Sequence, residues 1–156
     1  MRRAADAVLR PASPADAEDA AAIIGGALAG YGLPFEPDGR DADVHLFGCR
    51  PDHDDIVAEI EGRPVGVASV GPHGEEGVAW VSKVFVAKEA RGLGIGRALL
   101  SAAHEAARAR GYRRVGLRTR LVFREAIALY ESEGYAALAR HPSVLESGDV
   151  VYFRAL

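Results

Sequence analysis

The sequence predicts a mixed α/β domain in which a central, largely antiparallel sheet carries helices on both faces. Three observations predict it. Two short β-rich runs, 56–60 and 64–70, flank the glycine-containing turn Glu61-Gly62-Arg63 in a hairpin pattern. An apolar run over 78–86 leads through a glycine-rich turn into a stretch with helical periodicity. A second helical stretch and two further β-rich runs complete the chain.

In chain order, Ser13-Pro14-Ala15-Asp16 opens the first helix: Ser13 suits the cap, Pro14 the first turn, and Asp16 completes a capping-box-like arrangement. Ala17, Ala20, Ala21, Ile24, Leu28 and Tyr31 continue the apolar stripe until Gly30 and Gly32. Residues 33–51, with three prolines and little periodicity, read as an irregular segment with room for a short helix. The hairpin follows, then a turn at Gly71-Pro72-His73-Gly74 and the strand 78–86, which carries Trp80, Val81, Val84, Phe85 and Val86. After the glycines, Ile95, Leu99, Ala102, Ala103 and Ala106 trace a helix face. Arg108 and Arg110 suit its C-terminal end, and Gly111 stops it. Residues 114–119 read as a strand, Phe123, Ala126, Ile127 and Tyr130 as a helix ended by Gly134, and 135–138 and 150–153 as two last strands.

The length of 156 residues fits one domain spanning 1–156, and 49% apolar with 26% charged residues is ordinary for a globular protein. Lacking any apolar run of roughly 20 residues or a signal-like N-terminus, the sequence carries no membrane or export expectation. Cys49 has no partner for a disulfide or a cysteine-rich metal site, which points to a cytoplasmic protein with Cys49 as a small apolar filler. A net charge of −3 argues against nucleic acid as a partner. Acidic residues crowd the first half, among them Glu36, Asp38, Asp41, Asp43, Asp52, Asp54 and Asp55, whereas arginines crowd 91–124. That asymmetry suits an anionic ligand held by the second half and a cationic one met by the first. The cluster Asp52-His53-Asp54-Asp55 lacks metal-ligand spacing and reads as a solvated loop before a strand. His104 and His141 have no partner visible in the sequence.

The chemistry concentrates at Arg91-Gly92-Leu93-Gly94-Ile95-Gly96-Arg97-Ala98. A helix N-terminus presents unpaired N–H groups and about half a unit of positive charge, which attract phosphate. Glycines at 92, 94 and 96 let a diphosphate approach the backbone, and Arg91 and Arg97 add cations at the rim. Two other phosphate loops fail. A dinucleotide fingerprint begun at Gly92 needs glycine where Arg97 stands, and the chain has no Gly-Lys step for a P-loop.

Arg91-x-x-Gly94-x-Gly96, with Val84-Phe85-Val86 before it and Ala98-Leu99-Leu100 after it, resembles the signature of the GNAT superfamily of acyl-CoA-dependent N-acyltransferases. Some 30 residues on, the run from Ala126-Ile127-Ala128-Leu129-Tyr130 to Gly134-Tyr135 resembles that family's second motif. The resemblance covers roughly 10–156. It implies a splayed pair of strands, 80–86 and 114–119, that admits acetyl-CoA, the acyl donor. Val84, Phe85 and Val86 would lie beside the pantetheine arm. A backbone N–H there would polarise the thioester, and the amides from Arg91 to Ala98 would hold the pyrophosphate. Tyr130 would protonate the leaving thiolate. The implied reaction is direct attack by a small-molecule or peptide amine, with neither metal nor membrane involved; a homodimer is common in the family.

Two departures stand out. Phe123 occupies a position where many members have an asparagine that contacts the cofactor arm, so that contact is either lost or replaced by Thr119 or Arg120. The central strand offers Trp80, Ser82 and Lys83 where many members carry a glutamate base, so either the base is one of Glu36, His45, His73, Glu75 and Glu76, or the amine arrives already deprotonated. A non-catalytic acyl-CoA sensor, or a protein N-terminal or lysine acetyltransferase, are the alternative readings.

Overall fold

The computed structural model describes residues 6–138 and 149–156. Seven strands form one sheet: β1 (Ala7–Pro11), β2 (Asp54–Ile60), β3 (Arg63–Pro72), β4 (Val78–Val86), β5 (Arg114–Arg120), β6 (Ala136–Ala137) and β7 (Asp149–Ala155). Their order is β1-β2-β3-β4-β5-β7-β6, and only β4 and β5 run parallel. Three α-helices, α1 (Ala17–Gly30), α2 (Ile95–Ala109) and α3 (Arg124–Ser132), cover it. None is long and apolar enough to cross a membrane.

The predicted hairpin is β2–β3, closed by Glu61 and Gly62 at φ 52° and 77°. Two successive positive φ values give a tight turn whose twist matches that of the strands. Each strand feeds two cores, as period-2 alternation requires. On one face Ile56, Ala58, Ile60, Ala68 and Val70 pack with Leu99, Leu100 and Ala103 of α2 and Tyr130 of α3. On the other, Val57 and Val67 pack with Ile23, Ile24 and Leu28 of α1 and with Phe47. The helices therefore sit on both faces, as expected.

Five features of the fold depart from the sequence expectation. β1 was absent from it: the strand is five residues long, contains Arg10, ends in Pro11, and exists because β2 pairs with it from Ala7↔Ile60 to Pro11↔Ile56. Asp16 is more than a cap. Its carboxylate does accept the Ser13 N–H at 2.8 Å, but it also accepts both terminal nitrogens of Arg10 at 2.8 Å each, and it is buried. The Gly71–Pro72 turn is strand, since β3 runs on to Pro72. Asp54 and Asp55, assigned to a solvated loop, begin β2, and Asp55 is buried with Oδ2 accepting the Gly48 N–H at 2.7 Å. Cys49 is exposed rather than a core filler. Among the described residues the last strand pair forms over 136–137 and 149–155; His141 lies outside them.

Candidate active site

β4 is bent by a bulge. Its pairing with β3 shifts register between Val67 and Ser69, opposite Ser82 to Phe85, and Lys83 stands there with φ 55°. A side chain in the left-handed region costs about 1–2 kcal/mol, and a bulge re-aims the side chains beyond it. Before the bulge Ala79 and Val81 face the α2 core; beyond it Val84 and Val86 face that core and Phe85 faces the α1 core. Lys83 Nζ is paired with Asp43 on the short 3-10 turn Ala42–Leu46, which fixes the strained residue from outside the sheet.

β4 and β5 pair only at Val78↔Arg114, Ala79↔Val115 and Trp80↔Gly116. Beyond those pairs they diverge, and a cavity of about 670 Å³ opens between Val81–Val86, Leu117–Thr119, the turn before α2 and one side of α3. That volume falls within the usual range of a small-molecule site.

The glycine turn forms one wall. Gly92 and Gly94 have φ 77° and 81°, so the turn depends on glycine at both. Gly94 caps α2, and the first helical bond is the Ala98 N–H to the Gly94 carbonyl at 3.1 Å. The N–H groups of Ile95, Gly96 and Arg97 therefore precede the helical ladder and are available to an anion. A Cβ on Gly96 would make only ordinary contacts with Leu129 and Val86, at 3.5 and 3.8 Å. Gly96 thus permits close approach of a ligand more than close packing of the protein.

Of the twelve predicted site residues, ten line this cavity, including Val84, Phe85 and Val86, the turn residues and Tyr130; Leu93 and Ala98 do not. Arg91 donates from Nε to the Val86 carbonyl at 3.2 Å, leaving its terminal nitrogens at the rim. Arg97, also at the cavity wall, is ion-paired with Glu133 and donates to Ser132 Oγ at 3.2 Å, which ties α2 to the end of α3. Tyr130 is 6% exposed, and burial pushes its pKa up to about 12. Its hydroxyl therefore stays protonated across the physiological range.

Phe123 caps α3 and meets Tyr31 edge-on at 4.9 Å and Phe85 at 6.1 Å. Tyr31 Oη donates to Glu125 Oε2 at 3.0 Å, and all four residues line the cavity. This aromatic cluster stands where the polar asparagine was expected, and Thr119, its suggested replacement, lines the same space. No local motif marks Tyr31 or Glu125 as cavity residues, since the two are 94 residues apart. None of the five candidate bases, Glu36, His45, His73, Glu75 and Glu76, lines either described cavity, and all five are exposed. The described residues contain no group of three or more His, Cys, Asp or Glu placed to hold a metal ion.

A model of the acetyltransferase (GNAT) family matches residues 20–135. The uncharacterized N-acetyltransferase YjgM of Escherichia coli (strain K12) is 32% identical over 135 residues, covering 82% of this chain and 81% of its own. An IAA acetyltransferase from Azospirillum brasilense is 37% identical over 88 residues, covering 56% of this chain and 58% of its own. Among solved structures, PaiA N-acetyltransferase from Thermoplasma acidophilum in complex with coenzyme A superposes with a TM-score of 0.79 at 13% identity. That likeness covers 96% of this chain and 99% of that one, and it concerns the fold.

Proposed function

The chain belongs to the acetyltransferase (GNAT) family and is an acyl-CoA-dependent acetyltransferase, and on that premise we propose that it moves the acetyl group of acetyl-CoA directly to a primary amine. The observation that carries the site assignment is the cavity between the diverging β4 and β5, walled by the α2 N-terminus at one side and Tyr130 at another.

In this reading the whole chain acts as one domain. The N–H groups of the turn from Arg91 to Ala98 hold the pyrophosphate, with Arg91 beside them. The freed edge of β4 over Val84, Phe85 and Val86 runs alongside the pantetheine arm and supplies an N–H to the thioester oxygen. The neutral amine attacks the thioester carbon, the carbon–sulfur bond breaks, and the sulfur leaves with the bond electrons. Tyr130 gives its proton to that thiolate and is reprotonated from solvent; the amine nitrogen releases its extra proton to water. None of the five predicted bases lines the cavity, and the carboxylate that does, Glu125, already accepts from Tyr31 Oη, so in this reading the acceptor enters already deprotonated. Rate enhancement then comes chiefly from positioning and the preorganised N–H.

The test is release of free thiol from acetyl-CoA with a panel of primary amines, with both substrate concentrations varied. Intersecting double-reciprocal lines and acetylated amine support direct transfer. Parallel lines would replace it with an acetylated enzyme, and coenzyme A binding without turnover of any amine would favour a sensor.

A further inference from the structure

On the α1 side of the diverging strands a second cavity, of about 360 Å³, opens toward the first. The two share Lys83, Phe85, Arg118, Thr119 and Phe123. It is therefore the place from which a second substrate meets the bulged end of β4. The inner wall is apolar, formed by Ile24 and Leu28 of α1 with Phe35 and Val44.

The rim is charged, and its pairing is uneven. Asp43 is paired with Lys83, and Asp149 lies 3.9 Å from Arg120. Asp41 Oδ2 accepts the Glu36 N–H at 2.8 Å, and Arg40 lies 3.5 Å from Glu36. The acid-rich segment that suggested a cationic ligand is thus largely spent on internal partners. Arg118 differs: it lines both cavities and has no hydrogen bond or ion pair among the described residues. Arg118 and Arg120 alternate on β5 with Leu117 and Thr119, so both arginines face the α1 side. A guanidinium presents a planar fork that matches a carboxylate in two parallel hydrogen bonds.

From these observations we infer that the acceptor is an amino acid with an apolar side chain, its carboxylate held by Arg118 and its side chain against α1. This rests on the reading of the site as an amine acetyltransferase and specifies the acceptor. The carboxylate anchors the molecule at the junction of the two cavities, the apolar side chain fills the space beside Ile24, Leu28 and Phe35, and the α-amine faces the splay. A diamine or lysine side chain brings a second cation to an arginine that already lacks a counter-charge.

The experiment compares L-leucine and L-phenylalanine with leucinamide and phenylalaninamide, the same shapes without the carboxylate, using acetyl-CoA and thiol release. The amides are weaker bases with more free amine at neutral pH, so basicity alone favours them. The expected result is a kcat/KM higher for the acids by roughly 10- to 100-fold, the scale of a charge-assisted hydrogen bond pair. Arg118→Ala should raise KM for the acids by a similar factor, with Arg118→Lys between, while coenzyme A affinity and melting temperature stay unchanged. Amides turned over as well as the acids would overturn the inference and leave acetyl transfer standing. Loss of coenzyme A affinity in Arg118→Ala would also overturn it, making Arg118 a coenzyme ligand. No turnover of any amine, acid or amide would instead remove the underlying reading.

Discussion

Gly116 lies under the Trp80 ring at the last residue pair that β4 and β5 share. A Cβ at Gly116 would stand 2.6 Å from Trp80 Cζ3 and 2.7 Å from Phe153 Cε1. Trp80 is itself held between Phe153, at 6.0 Å edge-on, and the stacked His73 ring at 4.1 Å. The point at which the strands part is thus set by a ring packed over a residue with no side chain. Gly116→Ala should destabilise the fold by about 1–3 kcal/mol, as overpacking does, and weaken coenzyme A binding. Urea unfolding and calorimetric titration read both; full stability in Gly116→Ala would dismiss the role of this packing.

Replacing Gly94 by Asp places a side chain at φ 81° and a negative charge at the α2 N-terminus. Strain of about 1–2 kcal/mol leaves the protein folded, while coenzyme A affinity should fall below detection. Retained affinity in a titration would move the pyrophosphate site elsewhere.

Tyr130→Phe removes a buried hydroxyl that stays protonated up to a pKa of about 12. Turnover should fall on the order of 10²-fold, with coenzyme A affinity unaltered. Undiminished kcat from pH 6 to 9 would take Tyr130 out of the acid role.

Arg10 donates to both oxygens of Asp16 and, with burial opposing it, holds the carboxyl at a pKa of about 2. The folded value lies below the unfolded one, so the stabilisation is complete above the unfolded pKa near 3.8. It is lost as pH falls through 2. At neutral pH Asp16→Asn should cost about 1–2 kcal/mol, allowing for the partly exposed arginine. The difference from the wild type should shrink as pH falls from about 4 and vanish below about pH 2. A difference that is constant with pH would contradict this origin.

His104, buried in α2, lies with Nε2 2.7 Å from Tyr135 Oη and accepts from Arg154 at Nδ1 across 2.8 Å. Burial first, then Arg154 and Arg108, lower its pKa to about 4. Between that value and 6.5 only the unfolded chain binds the proton, so stability falls as pH falls through this window. The slope is at most about 1.4 kcal/mol per pH unit. In a denaturant series from pH 7 to 4, His104→Gln should show a shallower slope, and an equal slope would exclude His104 as its source.

The local elements were legible because their causes are local. Residues 61–62 turn the chain wherever it goes, 95–109 bury one helical stripe, and Gly94 ends at a positive φ that only its own residue type favours. β1 was not legible, because Ala7–Pro11 becomes a strand only by pairing with a segment about 50 residues away. The partners of Arg97 were hidden for a related reason: Ser132 and Glu133 arrive with α3.

The amino-acid sequence by itself determined the hairpin, the glycine turn into α2, the Tyr130 helix and the family they belong to. Those rest on backbone preferences and periodicity, which act over a few residues. Only the tertiary structure decided where β4 bulges, where β4 and β5 part, and which arginine of the smaller cavity is left without a counter-charge. The left-handed Lys83 is tied to Asp43 across 40 residues, and the Trp80–Gly116 limit depends on Phe153 of a third strand. Ion pairing within the smaller cavity leaves Arg118 over. Each of these is a balance among groups distant in the chain, which is settled only when the sheet is assembled.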